Sequence, residues 1–101
     1  MELLPQEIAE KLTKLYATEG QGKKAMVQVK FFTPDAGWMW YATEFDGEDL
    51  FFGLVIGHAK EYGYFSLAEL QEARGPMGLP IERDLYFKPK SLEALGETYG
   101  P

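Results

Sequence analysis

Hydrophobic positions recur with two different periods, and the change from one to the other marks the elements. From Pro5 onward, Ile8, Leu12, Leu15 and Tyr16 follow helical spacing, with Glu7, Glu10, Lys11 and Lys14 on the other side. One apolar stripe opposite a charged one predicts an N-terminal amphipathic helix. Pro5 suits its first position, where an N–H would have no partner, and Glu7 can pair with Lys11 one turn on. Gly20-Gln21-Gly22 ends it. From Ala25 the period drops to two. Val27, Val29 and Phe31 alternate with Gln28 and Lys30, which predicts a half-buried strand over Ala25–Thr33.

Pro34-Asp35-Ala36-Gly37 reads as a turn, with Gly37 available for positive φ, and a second strand follows over Trp38–Phe45. Strict alternation sets Trp38, Trp40 and Ala42 against Met39, Tyr41 and Phe45, so both faces of this strand are apolar. Asp46-Gly47 is a strong hairpin signal because both residues tolerate positive φ. The third strand, Leu50–His58, is apolar on both faces and belongs in the middle of a sheet. Its glycines, Gly53 and Gly57, leave a shallow strip where an aromatic ring, another backbone or a ligand can approach. The fourth strand covers Tyr62–Phe65.

Ser66-Leu67-Ala68-Glu69 is a capping box, and Phe65 with Leu70 supplies a hydrophobic staple for a short second helix. That helix is expected to stop near Arg74, with Gly75 as its left-handed terminal residue and Pro76 blocking continuation. Gly75–Pro80 reads as a structured turn held by apolar anchors. Leu85-Tyr86-Phe87 suggests an edge strand, Ser91–Leu95 a single helical turn and Gly96–Pro101 a frayed tail. The order defines one α+β domain over residues 1–101: a four- to five-stranded antiparallel meander with an N-terminal and a short second helix packed on it. A small closed β-barrel is the alternative.

Composition narrows the function classes. A chain of 101 residues closes over one core. It has no cysteine, which excludes disulfides, thiolate metal sites and cysteine nucleophiles and suits a reducing cytosol. No signal-peptide pattern or membrane-length apolar run is present, so a cytoplasmic protein with no membrane partner is expected. The net charge of −6 opposes long-range attraction to nucleic acid or anionic lipid. Lys23, Lys24 and Lys30 nevertheless cluster in the first half. No motif calls for a cofactor or a metal.

Several segments together resemble a known family. They are Lys30–Asp35, Trp38-Met39-Trp40-Tyr41, Leu50–His58, Gly63–Leu70 and Arg74–Phe87. Over nearly its whole length the chain resembles the bacterial family known as domain of unknown function 2958. Members tend to be encoded on plasmids and integrative elements, so the resemblance implies an accessory role in a mobile element. It brings no assigned activity or catalytic residue. Ala59 stands where many members carry an acidic residue, which weakens any carboxylate site at this turn.

Four constellations carry candidate chemistry. Trp38, Trp40, Tyr41 and Phe45 form a candidate protein-binding face, with Arg83 as a polar anchor for a carboxylate or phosphate. The competing reading has Leu79–Phe87 covering that face and Arg83 tied internally to Glu69 or Glu72. Trp38, Trp40, Phe52 and Tyr64 can instead stack single-stranded bases, with Lys23, Lys24 and Lys30 on the phosphates. His58, with Glu44 near it across the hairpin and Ser66 as nucleophile, is the minimal set for a hydrolase. Glu44, Asp46, Glu48 and Asp49 surround the hairpin, but they lack the spacing of a calcium loop and read as a solvated turn. The expected function is non-enzymatic binding of a protein partner, as a monomer or homodimer. Nucleic-acid binding comes next, and hydrolysis through His58 third.

Overall fold

The computed structural model describes residues 1–18 and 20–99, with the backbone alone for 97–99. Five antiparallel strands form the main sheet: β2 (Val29–Phe32), β3 (Met39–Phe45), β4 (Leu50–Ile56), β5 (Lys60–Ser66) and β6 (Glu82–Arg83). Their spatial order is β5-β4-β3-β2-β6, an open meander with β4 and β3 central. A two-stranded ribbon pairs β1 (Met26–Val27) with β7 (Lys90–Ser91). Three helices, α1 (Gln6–Ala9), α2 (Leu67–Glu72) and α3 (Leu92–Tyr99), complete the α+β architecture. The sheet does not close into a barrel.

Both faces of the sheet are covered. On the first, Phe51 is fully buried between Phe45 and Phe65, with ring centroids 4.7 and 5.1 Å away, and meets Phe31 edge-on at 5.6 Å. Leu3, Leu12, Leu70 and Ile81 close over this cluster from the N-terminal segment, α2 and the loop after it. On the second face Tyr41 and Leu54 pack beneath Val27 and Leu95, with Phe87 and Leu92 beside them. The second cover thus comes from β1, α3 and Phe87, while Leu79 and Leu85 are exposed.

One irregularity re-aims the end of β3. The β3–β4 register runs regularly to Ala42–Gly53 and then shifts, so that Glu44 pairs with Phe52 and Phe45 with Phe51. This bulge inserts one residue and reverses the side on which later side chains fall. Strict alternation placed Phe45 with Tyr41; the bulge turns Phe45 into the opposite core and puts Glu44 on the second face. A similar break at Gln28 splits the expected first strand. Val29 joins the first core and Val27 the second.

The N-terminal helix is far shorter than its apolar period predicts. It stops at Ala9, because the following segment finds better partners on β3. The Phe45 N–H donates to the Thr13 carbonyl at 2.8 Å, and the Thr13 hydroxyl donates to the Thr43 carbonyl at 3.3 Å. Tertiary hydrogen bonds override a modest helical preference here.

The second helix begins at the expected cap, with the Ser66 half of the capping box formed. The Ser66 hydroxyl oxygen accepts from the Glu69 N–H at 3.2 Å, and Asp49 accepts from the Ala68 N–H at 2.8 Å and from the Ser66 hydroxyl at 2.6 Å. Its end is different: Ala73 is already extended, and no left-handed glycine terminates it. Arg74 does that work, donating from Nη1 to the carbonyls of Gln71, Glu72 and Ala73 at 2.7–3.1 Å. Gly75 instead lets the Asp35 carboxylate approach closely, since a Cβ there would lie 1.6 Å from Asp35 Oδ1. The positive φ of the loop belongs to Gly78. Hydrogen bonds hold this loop, among them Met77 N–H to Asp35 at 2.7 Å, while Met77 itself is exposed.

The edge strand falls on Glu82-Arg83, not on Leu85-Tyr86-Phe87, where Tyr86 is 91% exposed in a turn. Ser91 caps α3 by accepting the Ala94 N–H at 3.1 Å. The backbone of 96–99, expected as frayed, continues that helix, and Gly100-Pro101 lies outside the described residues. Among the described residues no helix is long and apolar enough to cross a membrane.

Candidate functional site

The residues expected to form one binding face are distributed across the sheet. Tyr41 is 1% exposed in the second core and Phe45 is buried in the first. Trp38 and Trp40 remain together on the first face, stacked at 5.9 Å and half-buried beside α2 and the Ala73–Pro76 loop. The Trp38 indole covers Gly57, whose absent Cβ would fall 2.4 Å from the ring. The shallow strip of β4 is thus filled by a neighbouring aromatic ring. Gly53 is filled differently, by the Tyr41 backbone carbonyl at 1.8 Å from its would-be Cβ. Arg83 is spent on the N-terminal segment, donating to the carbonyls of Glu2 at 2.7 Å and Leu3 at 3.5 Å, and not on Glu69 or Glu72.

The base-stacking set is divided as well. Phe52 and Tyr64 pair edge-on at 5.1 Å on the second face, across the sheet from the tryptophans. Lys30 lies beside Tyr41 and forms an ion pair with Asp84 at 3.6 Å. Lys23 and Lys24 sit apart from it, in a 3-10 turn over Gly22–Lys24.

The third set does not assemble either. His58 is exposed past the end of β4 and edge-on to Trp38 at 5.4 Å. Glu44 pairs with Phe52, six residues earlier on that strand, and Ser66 is held as a helix cap. Among the described residues no group of three or more His, Cys, Asp or Glu is placed to hold a metal. Glu44, Asp46 and Asp49 of the hairpin accept backbone N–H groups. Asp46 accepts from the N–H groups of Glu48, Asp49 and Leu50 at 2.8, 2.8 and 3.0 Å. Those bonds, led by the one from Glu48, hold its carboxyl below the ordinary aspartate range.

A different site emerges on the second face, between the β1–α3 cover and β5. It is a cleft of about 480 Å³ with Phe52, Thr43 and Glu44 among its lining and three tyrosines around it, Tyr16, Tyr62 and Tyr64. Tyr16 is 64% exposed, Tyr62 59% and Tyr64 49%. Lys23 and Gly22 border it as well.

Two devices build it. Antiparallel pairing sets Tyr62 opposite Leu54 and Tyr64 opposite Phe52, so alternate residues of β5 point their rings to one side. The bulge of β3 places Glu44 against the backbone of Tyr16 and Thr18. Glu44 is 3% exposed, yet its carboxylate accepts the Tyr16 N–H at 2.8 Å, the Thr18 N–H at 2.9 Å and the Thr18 hydroxyl. This clamp holds Tyr16 at φ 70°, the one non-glycine residue with positive φ among those described. Such a conformation costs of order 1–3 kcal/mol and persists where its surroundings over-determine it.

Sequence reasoning assigned Tyr16 to a helix face and Glu44 to an exposed hairpin, and so missed the site. Its only forward signal was the Tyr62-Gly63-Tyr64 alternation.

An α+β domain with both sheet faces packed and a tyrosine-lined cleft open beside β5 is what fold and site define. The chain matches the family model described as protein of unknown function (DUF2958) over residues 3–95, and it belongs to that family. No curated protein and no solved structure matches it.

Proposed function

We propose that this protein is a non-enzymatic binding module that recognises a protein partner through the tyrosine-lined cleft of β4 and β5. The observation that carries the reading is the exposure of Tyr62 and Tyr64 on β5, with Tyr16 beside them, around one concavity, when the other rings of the sheet strands are buried or half-buried. Tyrosine suits recognition because it offers a large rigid face with a polar tip at a low cost in side-chain entropy. The cytoplasmic accessory role in a bacterial mobile element rests on the family resemblance alone.

Single-stranded nucleic acid is the second reading, since Lys23 borders a cleft that contains Phe52 and Tyr64. It no longer draws on Trp38, Trp40 or Lys30, which lie elsewhere.

The test is affinity capture from the native host with the intact chain, comparing Tyr62→Ala with Trp38→Ala. Loss of the captured partner by about thirtyfold or more in Tyr62→Ala, with thermal unfolding unchanged, is the expected outcome. Loss in Trp38→Ala with retention in Tyr62→Ala would move recognition to the other face. Capture of nucleic acid in place of protein would favour the second reading.

A further inference from the structure

The cleft carries a charge arrangement that selects its ligand. Glu44 is an almost fully buried carboxylate whose donors among the described residues are neutral, the N–H groups of Tyr16 and Thr18 and the Thr18 hydroxyl. Between described residues the ion pair within 4 Å is Lys30–Asp84, and no described cation reaches Glu44. A buried negative charge is screened by salt far less than a surface one. Tyr16, Tyr62, Tyr64 and Phe52 line the same cleft. Aromatic faces carry the negative end of the ring quadrupole, and several of them around one cavity form the environment that holds guanidinium and alkylammonium groups.

We infer that the tyrosine cleft is a receptor for a cationic side chain, an arginine or lysine of the partner protein, with Glu44 as its negative floor. The inference rests on the cleft being the recognition surface and adds the chemistry of what enters it. Charge complementarity extends beyond the cleft, because the whole chain carries −6 and attracts a basic segment at long range. Lys23 is the opposing feature. It is exposed, so its ammonium sits in water and opposes an incoming cation only weakly. Its presence makes the inference sharply testable, because a cation-binding cleft and an anion-binding cleft respond to its removal in opposite directions.

The experiment is an amide chemical-shift titration of the intact chain with N-acetyl-arginine methylamide, and with its neutral isostere N-acetyl-citrulline methylamide. The arginine probe is expected to shift the amides of Thr18, Tyr62 and Tyr64 and to bind roughly tenfold tighter than the citrulline probe. Tyr62→Ala should weaken it roughly three- to thirtyfold and Tyr62→Phe should restore it, because the ring face and not the hydroxyl makes the contact. Lys23→Gln should tighten it about two- to fivefold. Equal binding of the two probes, weaker binding in Lys23→Gln, or shifts confined to the Trp38–Trp40 side would each overturn the inference. If Tyr62→Ala still abolishes partner capture while the arginine probe fails, the cleft remains the recognition surface and only the cation inference falls.

Discussion

Gly53 and Asp46 show how single residues set local structure here. A Cβ at Gly53 would lie 1.8 Å from the Tyr41 carbonyl oxygen, a backbone atom of the neighbouring strand. Gly53→Ala can be accommodated only by parting β3 from β4, and a loss of about 3 kcal/mol in urea unfolding is expected, at the upper end of ordinary overpacking. Stability within 0.5 kcal/mol of wild type would contradict that packing. Asp46 acts through charge. Its folded-state acidity is strengthened by three backbone N–H donors, so its stabilising contribution is full above the ordinary aspartate range near pH 4 and disappears as pH falls through the depressed folded value. The stability gap between wild type and Asp46→Asn should therefore be clear at pH 7 and shrink at pH 2. An equal gap at both values would remove the charge from the account. The sequence makes Asp46 readable as a turn residue, because its partners are two to four residues away. It does not reveal why Gly75 is a glycine, since the obstacle is Asp35, forty residues earlier in the chain.

Elements reveal the same division between local and distant causes. The cap of α2 is legible because Ser66 and Glu69 are only three residues apart, and Ser66→Ala should cost about 1 kcal/mol. The end of α1 is not, because what stops the helix is hydrogen bonding to β3 some thirty residues on. Glu44→Ala should release the N–H groups of Tyr16 and Thr18, cost about 1–3 kcal/mol and erase the hydrogen-exchange protection of those two amides. Protection that survives the substitution would mean that the loop holds itself. The bulge in β3 is equally hidden. Its residues, Ala42, Thr43 and Glu44, satisfy the alternation of an ordinary strand, and only the pairing with β4 shows the extra residue. That one insertion explains why Phe45 was expected on the wrong face and Glu44 in solvent.

For the molecule as a whole, the meander and its order followed from strand periodicity and turn residues, which are strong local signals. What the second face meets did not follow. Val27, Phe87, Leu92 and Leu95 cover it from two-residue strands, a turn and a helix that begins beside them, pieces too short to show a periodic pattern. With both faces covered, Trp38 and Trp40 become a half-buried pair and the open surface moves to the tyrosines. Tryptophan emission should accordingly lie between the buried and solvated limits and stay unchanged when a single-stranded oligonucleotide is added at low salt. Salt-sensitive quenching would return the indole pair to the binding surface. The most direct measurement is the footprint of the captured partner on the amide spectrum of the intact chain. Perturbations centred on Tyr16, Thr18, Tyr62 and Tyr64 are the predicted result. A footprint centred on Trp38, Trp40 and α2, with the tyrosine cleft unmoved, would contradict the account.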